Sequence, residues 1–360
     1  MNQRPPFPLR SGLTALVACL ALPQLSVQAA EQEETRLDTV SVISTGLRGQ
    51  QRTVADSPAP IDIINSEQLL KTGRAELSEA ISKLLPSFNF GTNIAGVNSQ
   101  VRPLSNRGLG PAYTLVLVNG KRRHNGAAPA NGSIDTSGAN AVDIDMIPIS
   151  AVDHIEVLKD SAAAQYGSDA VAGVINIILK SNASGGHAEA SYGQLFSGQG
   201  ETIKSAADHG FELGDGGFLH LSADARKRGT ATWVGKSPDS VRAFFEDDRQ
   251  AAWDHVSTKN GDPDLKAFNL AYNAELPLAD DLKLYSYATY GERKTEANNQ
   301  LRAANGGASI PELFPDGYYP LNNLKDTDYQ ILFGGKGKAA EWDWGLSTTY
   351  GRDKIGHASD

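Results

Sequence analysis

Lys121-Arg122-Arg123-His124-Asn125 is the one dense basic run in a 360-residue chain whose formal charge is −9. Two guanidiniums and an imidazole at adjacent positions could fork onto an anion, because charge-assisted, bidentate bonds are the strong ones. Catalytic chemistry has no comparable signature. The chain shows no G-x-S-x-G, no H-E-x-x-H, no P-loop, no strand-to-helix G-x-G-x-x-G and no CxxC. Its seven histidines include no i,i+4 pair of the kind that holds a metal. The Asp pairs at 247–248 and 280–281 fall in loops or turns and read as solvated. A pI near 5.3 argues against nucleic acid, which needs a basic face. The expected chemistry is binding, with no catalytic residue, cofactor or metal.

The elements that would carry this run begin with an export signal. Arg4 and Arg10 precede an apolar stretch from Leu13 to Leu22, and Val27-Gln28-Ala29 gives a small-residue cleavage site. A competing reading takes Leu16-Val17-Ala18-Cys19 as a lipoprotein box, although Cys19 lies inside the apolar run rather than at its end. Cleavage after Ala29 would leave a mature chain without cysteine. Next comes "LDTVSVIST" (37–45), a short β-prone run with no hydrophobic partner strand nearby in sequence.

Residues 61–180 mix helix and strand. "IDII" predicts a strand, Asn65 and Gln68 a capping box, and Gly73 a helix stop. "AELSEAISKLL" aligns Leu77, Ile81, Leu84 and Leu85 on one helical face before Pro86. "TLVLVNGKRR" predicts a strand turning at Asn119-Gly120. "HIEVLK" and "GVINIILK" are nearly continuous apolar runs, as buried strands require.

Beyond residue 181 the period changes to two. Leu219, Leu221, Ala223 and Ala225 alternate with His220, Ser222, Asp224 and Arg226. Phe268, Leu270, Tyr272, Ala274 and Leu276 oppose Asn269, Asn273 and Glu275, and Trp342, Trp344, Leu346, Thr348 and Tyr350 oppose Asp343, Ser347 and Thr349. Tight turns at 213–217, 278–281 and 338–341 alternate with long polar loops at 230–264 and 295–325. This short–long alternation is the pattern of an outer-membrane barrel; a soluble β-sandwich also alternates in polarity.

Three stretches carry a resemblance. "RGLGPAYTLVLVNGKRR" (107–123), "IPISAVDHIEVLKDSAAAQYGSDAVAGVINIILK" (147–180) and Asp38-Thr39-Val40-Ser41-Val42 resemble the plug and TonB box of TonB-dependent outer-membrane receptors. The resemblance implies a signal peptide at 1–29, a periplasmic TonB-box segment at 30–49, a plug at 50–180 and a partial barrel at 181–360. The fold class is then an α+β plug followed by antiparallel transmembrane strands, about seven of the 22 that a barrel of this size requires. A periplasmic TonB-type energy transducer would capture Asp38, Thr39, Val40, Ser41 and Val42 by β-augmentation, for which a strand without an internal partner is suited. Only about eight residues separate the signal from the box, which favours transport over transcription signalling.

The same resemblance assigns Arg107 and Lys159 to pairing with barrel glutamates, with salt bridges inside the plug as the alternative. It places outward loops near 88–103, with Phe88, Phe90 and Arg102, and near 122–141, with Arg122, Arg123 and His124. These would meet an anionic small-molecule ligand, foremost a ferric siderophore complex; for the basic run 121–125 the polar barrel wall or phosphate headgroups are the alternative. Cobalamin and an oligosaccharide are alternative ligands. Trp233, Trp253, Phe314, Tyr318 and Tyr319 could stack on a ligand or anchor at the membrane border. Two other readings stand beside uptake: a passive or structural outer-membrane barrel without energy coupling, and a soluble secreted binding module.

Overall fold

The computed structural model describes residues 41–43, 51–53, 61–90, 97–130, 139–159, 166–236, 248, 256–299, 301–304, 307 and 309–359. The signal region and Asp38, Thr39 and Val40 lie outside them.

Two short strands come first, β1 (Ser41–Ile43) and β2 (Gln51–Thr53), paired antiparallel. β3 (Ile61–Asn65) then runs into α1 (Ser66–Lys71) through the expected capping box. Gln68 N–H donates to Asn65 Oδ1 at 2.8 Å, and Asn65 N–H donates to Gln68 Oε1 at 2.9 Å. Gly73 ends this segment at φ +68°. α2 (Leu77–Leu84) buries Leu77, Ala80 and Ile81. β4 (Thr114–Val118) turns through Asn119 and Gly120, at φ +46° and +74°, into β5 (Lys121–Arg122). Both turn residues in the left-handed region is what a two-residue hairpin demands, and Asn-Gly supplies it.

β6 (Val152–Leu158) and β7 (Gly173–Leu179) complete a five-stranded sheet in the order β3-β6-β7-β4-β5, with β7 and β4 parallel. Every residue of β4 and β7 is buried. Helices and short 3-10 turns cover one face, and the apolar core of Ile64, Leu69, Ile81, Val118, Ile155, Ile175 and Ile177 fills the space between.

The second sheet is a continuous antiparallel meander of seven strands. They are β8 (Gly186–Gly193), β9 (Thr202–Glu212), β10 (Phe218–Arg228), β11 (Asp264–Ala279), β12 (Leu282–Asn298), β13 (Leu321–Ala339) and β14 (Trp342–Ser359). The three short turns all lie at one end. Of the long connections at the other end, that between β10 and β11 is not all loop: Ala231–Lys236 and Val256–Asp262 pair as a hairpin. Across the second long connection, Phe314 and Tyr318 stack with ring centroids 4.2 Å apart.

The polarity of this sheet is inverted relative to a soluble protein. Leu221, Phe268, Leu270, Ile331, Phe333, Trp344 and Leu346 are exposed on one face, while His220, Asp224, Arg226, Asn269, Arg293, Asp326, Asp328 and Gln330 are buried on the other. An exposed apolar face of this extent needs lipid or a partner, and buried charges need counter-charges. The counter-charges come from the first sheet and its helices, against which the polar face packs.

Candidate functional site at the contact of plug and wall

The contact is built from buried ion pairs. Glu76, at the start of α2, is 3% exposed. Its Oε2 accepts from Arg102 Nη2 at 2.8 Å and from the β10 residue Arg228, through Nη1, at 2.9 Å. Glu79, one turn along the same helix, accepts from the same two guanidiniums at 3.2 Å each. Arg102 also reaches Asp262 of the outer hairpin through Nη1, at 2.9 Å. Beside them, Asp145 accepts from the Ser78 N–H at 2.8 Å and the Ser78 hydroxyl at 2.7 Å, while its backbone carbonyl accepts from Arg226 and Asn269, both at 2.9 Å. Arg293 of β12 forks between Asp143, at 2.5 Å, and Asp326 of β13, at 2.7 Å.

This cluster gathers six carboxylates (Glu76, Glu79, Asp143, Asp145, Asp262 and Asp326) around four guanidiniums (Arg102, Arg226, Arg228 and Arg293). The anionic excess and the loss of water both favour protonation. Burial, with Glu76 next to it, pushes Glu79 up to about 7. Burial and the neighbouring Glu76 and Asp143 push Asp145 up to about 6. Burial acts on Glu76 in the same sense, but Arg228 and Arg102 prevail and hold it well below the usual carboxylate range.

A second set of contacts follows the β4–β5 hairpin. Arg123 is buried against β12 and β13, paired with Asp328 and donating to Thr289 Oγ1 at 2.5 Å and Gln330 Oε1 at 3.2 Å. His124 lies 2.8 Å from Asp328 through Nε2. The Asn119 amide reaches Asn273 of β11 at 3.2 Å while its carbonyl oxygen accepts from the Leu179 N–H. Gln100 donates to the carbonyls of Thr295 and Asn322 at 3.1 and 2.7 Å. Two wall glycines admit this surface: a Cβ on Gly351 would overlap the His124 imidazole, and one on Gly291 would sit 2.9 Å from Met146 Sδ.

The residues expected to meet a ligand are therefore distributed differently. Phe88 is a core side chain, 2% exposed. Phe90 packs against that core with Arg102 above its ring at 5.1 Å. Arg102, Arg123 and His124 hold the wall, and Arg122 is exposed and paired with Asp169. Arg107 and Lys159 face each other within the first sheet's own domain. Arg107 Nη1 donates to the Lys159 carbonyl at 3.1 Å, and the Lys159 ammonium pairs with Asp62 of β3. The ion pairs that reach the wall use other residues, chiefly Arg226, Arg228, Arg293 and Asp328. Their signal was in the sequence: charges at the polar positions of alternating strands must find partners. Ser41 and Val42 also depart from expectation, since β1 has an internal partner in β2.

Residues 53–174 match the family model of the TonB-dependent receptor plug domain. A ferric enterobactin receptor of Pseudomonas aeruginosa is 33% identical over 321 residues, covering 84% of this chain and 40% of the relative. A vitamin B12 transporter of Photobacterium profundum is 24% identical, covering 82% of this chain and 49% of the relative. The chain thus spans less than half the length of these relatives. Among solved structures, a ferric enterobactin receptor of P. aeruginosa superposes with a TM-score of 0.59 at 18% identity, over 83% of this chain and 42% of that one. A siderophore receptor of Acinetobacter baumannii gives 0.56 at 20% identity, over 84% and 41%. On the plug match and the 33% identity to a receptor of this kind across 84% of the chain, the chain belongs to the TonB-dependent receptors, of which it carries the plug and seven antiparallel strands like those of the barrel wall.

Proposed function

We propose that the protein serves in energy-coupled uptake of a ferric siderophore across the outer membrane. A periplasmic TonB-type transducer captures residues 38–42, and pulling on them unseats the plug from the wall. The observation that carries this reading is the buried, ion-paired seam between plug and wall. Its bonds are polar, local and sensitive to protonation, so a pull can break them in sequence while the plug's apolar core stays intact. The similarity to a ferric enterobactin receptor across 84% of the chain favours an iron-chelate ligand. The vitamin B12 transporter relative makes a corrinoid the second candidate. Under this reading the plug residues 50–180 gate the wall, and the lipid-facing side of that wall contacts outer-membrane lipid.

The β1–β2 pairing is compatible with capture. A ribbon of three residues per strand is marginal in water, so exchanging β2 for a transducer strand costs little. The test uses the receptor in iron-starved cells lacking other receptors. Uptake of radiolabelled ferric enterobactin should require the transducer and fall at least about tenfold in Val40→Pro, where proline removes a ladder donor. Uptake of labelled vitamin B12 instead would move the ligand assignment. Transducer-independent passage of either would favour a passive barrel.

A further inference from the structure

The outward side chains of the wall change character toward the end with the long connections. Lys227 of β10 stands opposite Lys266 of β11, Lys266 opposite Lys294 of β12, and Lys294 opposite Lys325 of β13. Four consecutive strands thus present lysine in a single row, all exposed. Strands lie about 4.8 Å apart, so the row is about 15 Å wide. Like charges directly opposite one another repel, and nothing in the sheet itself favours this arrangement.

Among the described residues the carboxylate that reaches the row is Glu292, 3.5 Å from Lys294 and 3.8 Å from Lys325. Asp264 and Glu296 stand opposite each other further out along β11 and β12. Arg352 and Lys354 extend the exposed basic face onto β14. At the short-turn end the pattern differs: Lys283 and Lys336 both close onto Glu275, at 2.9 and 2.6 Å.

Below the lysine row, on the same face, lies a groove of about 620 Å³. The small side chains of Ala207, Ala223 and Ala288 line it between the larger Phe211, Leu270 and Tyr290. Ala223, Leu270 and Tyr290 share one register row, four residues along their strands from Lys227, Lys266 and Lys294. That separation is about 13 Å.

We propose that this face is a binding site for a phosphorylated, acylated lipid of the outer leaflet. The phosphates lie across Lys227, Lys266, Lys294 and Lys325, and an acyl chain fills the alanine-lined groove. The charge row supplies what a zwitterionic headgroup would not need, and the groove supplies what free phosphate could not use. The proposal rests on the reading of the apolar face as lipid-facing, with the long connections outside.

The test is native mass spectrometry of the full chain in detergent micelles, titrated with lipid A, with dephosphorylated lipid A and with inorganic phosphate. Lipid A should bind and inorganic phosphate should not displace it. Lys266→Gln with Lys294→Gln should weaken lipid A by at least about tenfold. Ala223→Trp should weaken it by filling the groove, while Lys283→Gln should leave it unchanged. Equal retention by the double glutamine variant and the unaltered chain would overturn the proposal, as would displacement by inorganic phosphate or equal binding of the dephosphorylated lipid. Quenching of Trp344 fluorescence by brominated lipid reports separately on the lipid-facing reading: its absence would remove that reading, whereas quenching without selective lipid A binding would remove only this site.

Discussion

Arg123 shows how much depends on single side chains at the seam. It is buried, and the Asp328 carboxylate beside it would be left without its guanidinium in Arg123→Ala. Removing one partner of a buried pair typically costs 3–5 kcal/mol, so about 3 kcal/mol of stability should be lost in urea unfolding, the His124 Nε2 contact to Asp328 remaining. A loss below about 1 kcal/mol would mean that the pair is well solvated. Glu79 and Asp145 make a prediction about pH. Their folded-state values of about 7 and about 6 lie above the ordinary values of 4.5 and 3.8, so the native state holds protons that the unfolded chain has released. That stability is fully present below the ordinary values and is lost as pH rises through 6 to 7. The unfolding free energy measured in urea should therefore fall between pH 5 and pH 8, by an amount on the order of 4 kcal/mol. Glu79→Gln should flatten the profile, and an unchanged slope would show that Glu79 does not carry it.

At the scale of elements, most local structure was legible and most of the seam was not. Asn65 with Gln68, and Asn119 with Gly120, announce a cap and a hairpin because the chemistry of each is complete within four residues. The alternating strands were legible for the same reason. For Arg102, Arg123 and His124 the sequence could not choose between ligand and wall, because their partners, among them Asp262, Asp328 and Gln330, lie 160 to 207 positions away. Sequence shows a basic cluster; only the register of β12 and β13 shows which carboxylate faces it. The strand pairing of β1 with β2 was missed because three-residue ribbons carry almost no pattern. The seating of these elements depends on close approach at Gly351. Gly351→Val should disturb the His124 contact while leaving the wall strands formed, seen as earlier plug unfolding with unchanged strand circular dichroism. Unchanged plug stability would contradict the packing described here.

At the scale of the molecule, the inverted polarity of the seven-stranded sheet is what requires both a lipid exterior and a plug. Its apolar face is stable only out of water, and its charged face is stable only against opposite charges. The plug provides these through Glu76, Glu79, Asp143 and Arg123, and under the proposed function the same contacts are the ones a pull must break. The measurement that tests this most directly is a reversible tether across the seam. A Cβ at position 351 would lie 3.1 Å from His124 Cβ, inside the roughly 3.5–4.5 Å of disulfides, so a shift of the hairpin by several tenths of an ångström would admit the bond, and cleavage after Ala29 would leave no other thiol. In His124→Cys with Gly351→Cys, siderophore uptake should stop when the pair is oxidised and return on reduction. Equal uptake in the oxidised and reduced states would contradict the claim that the plug must leave the wall.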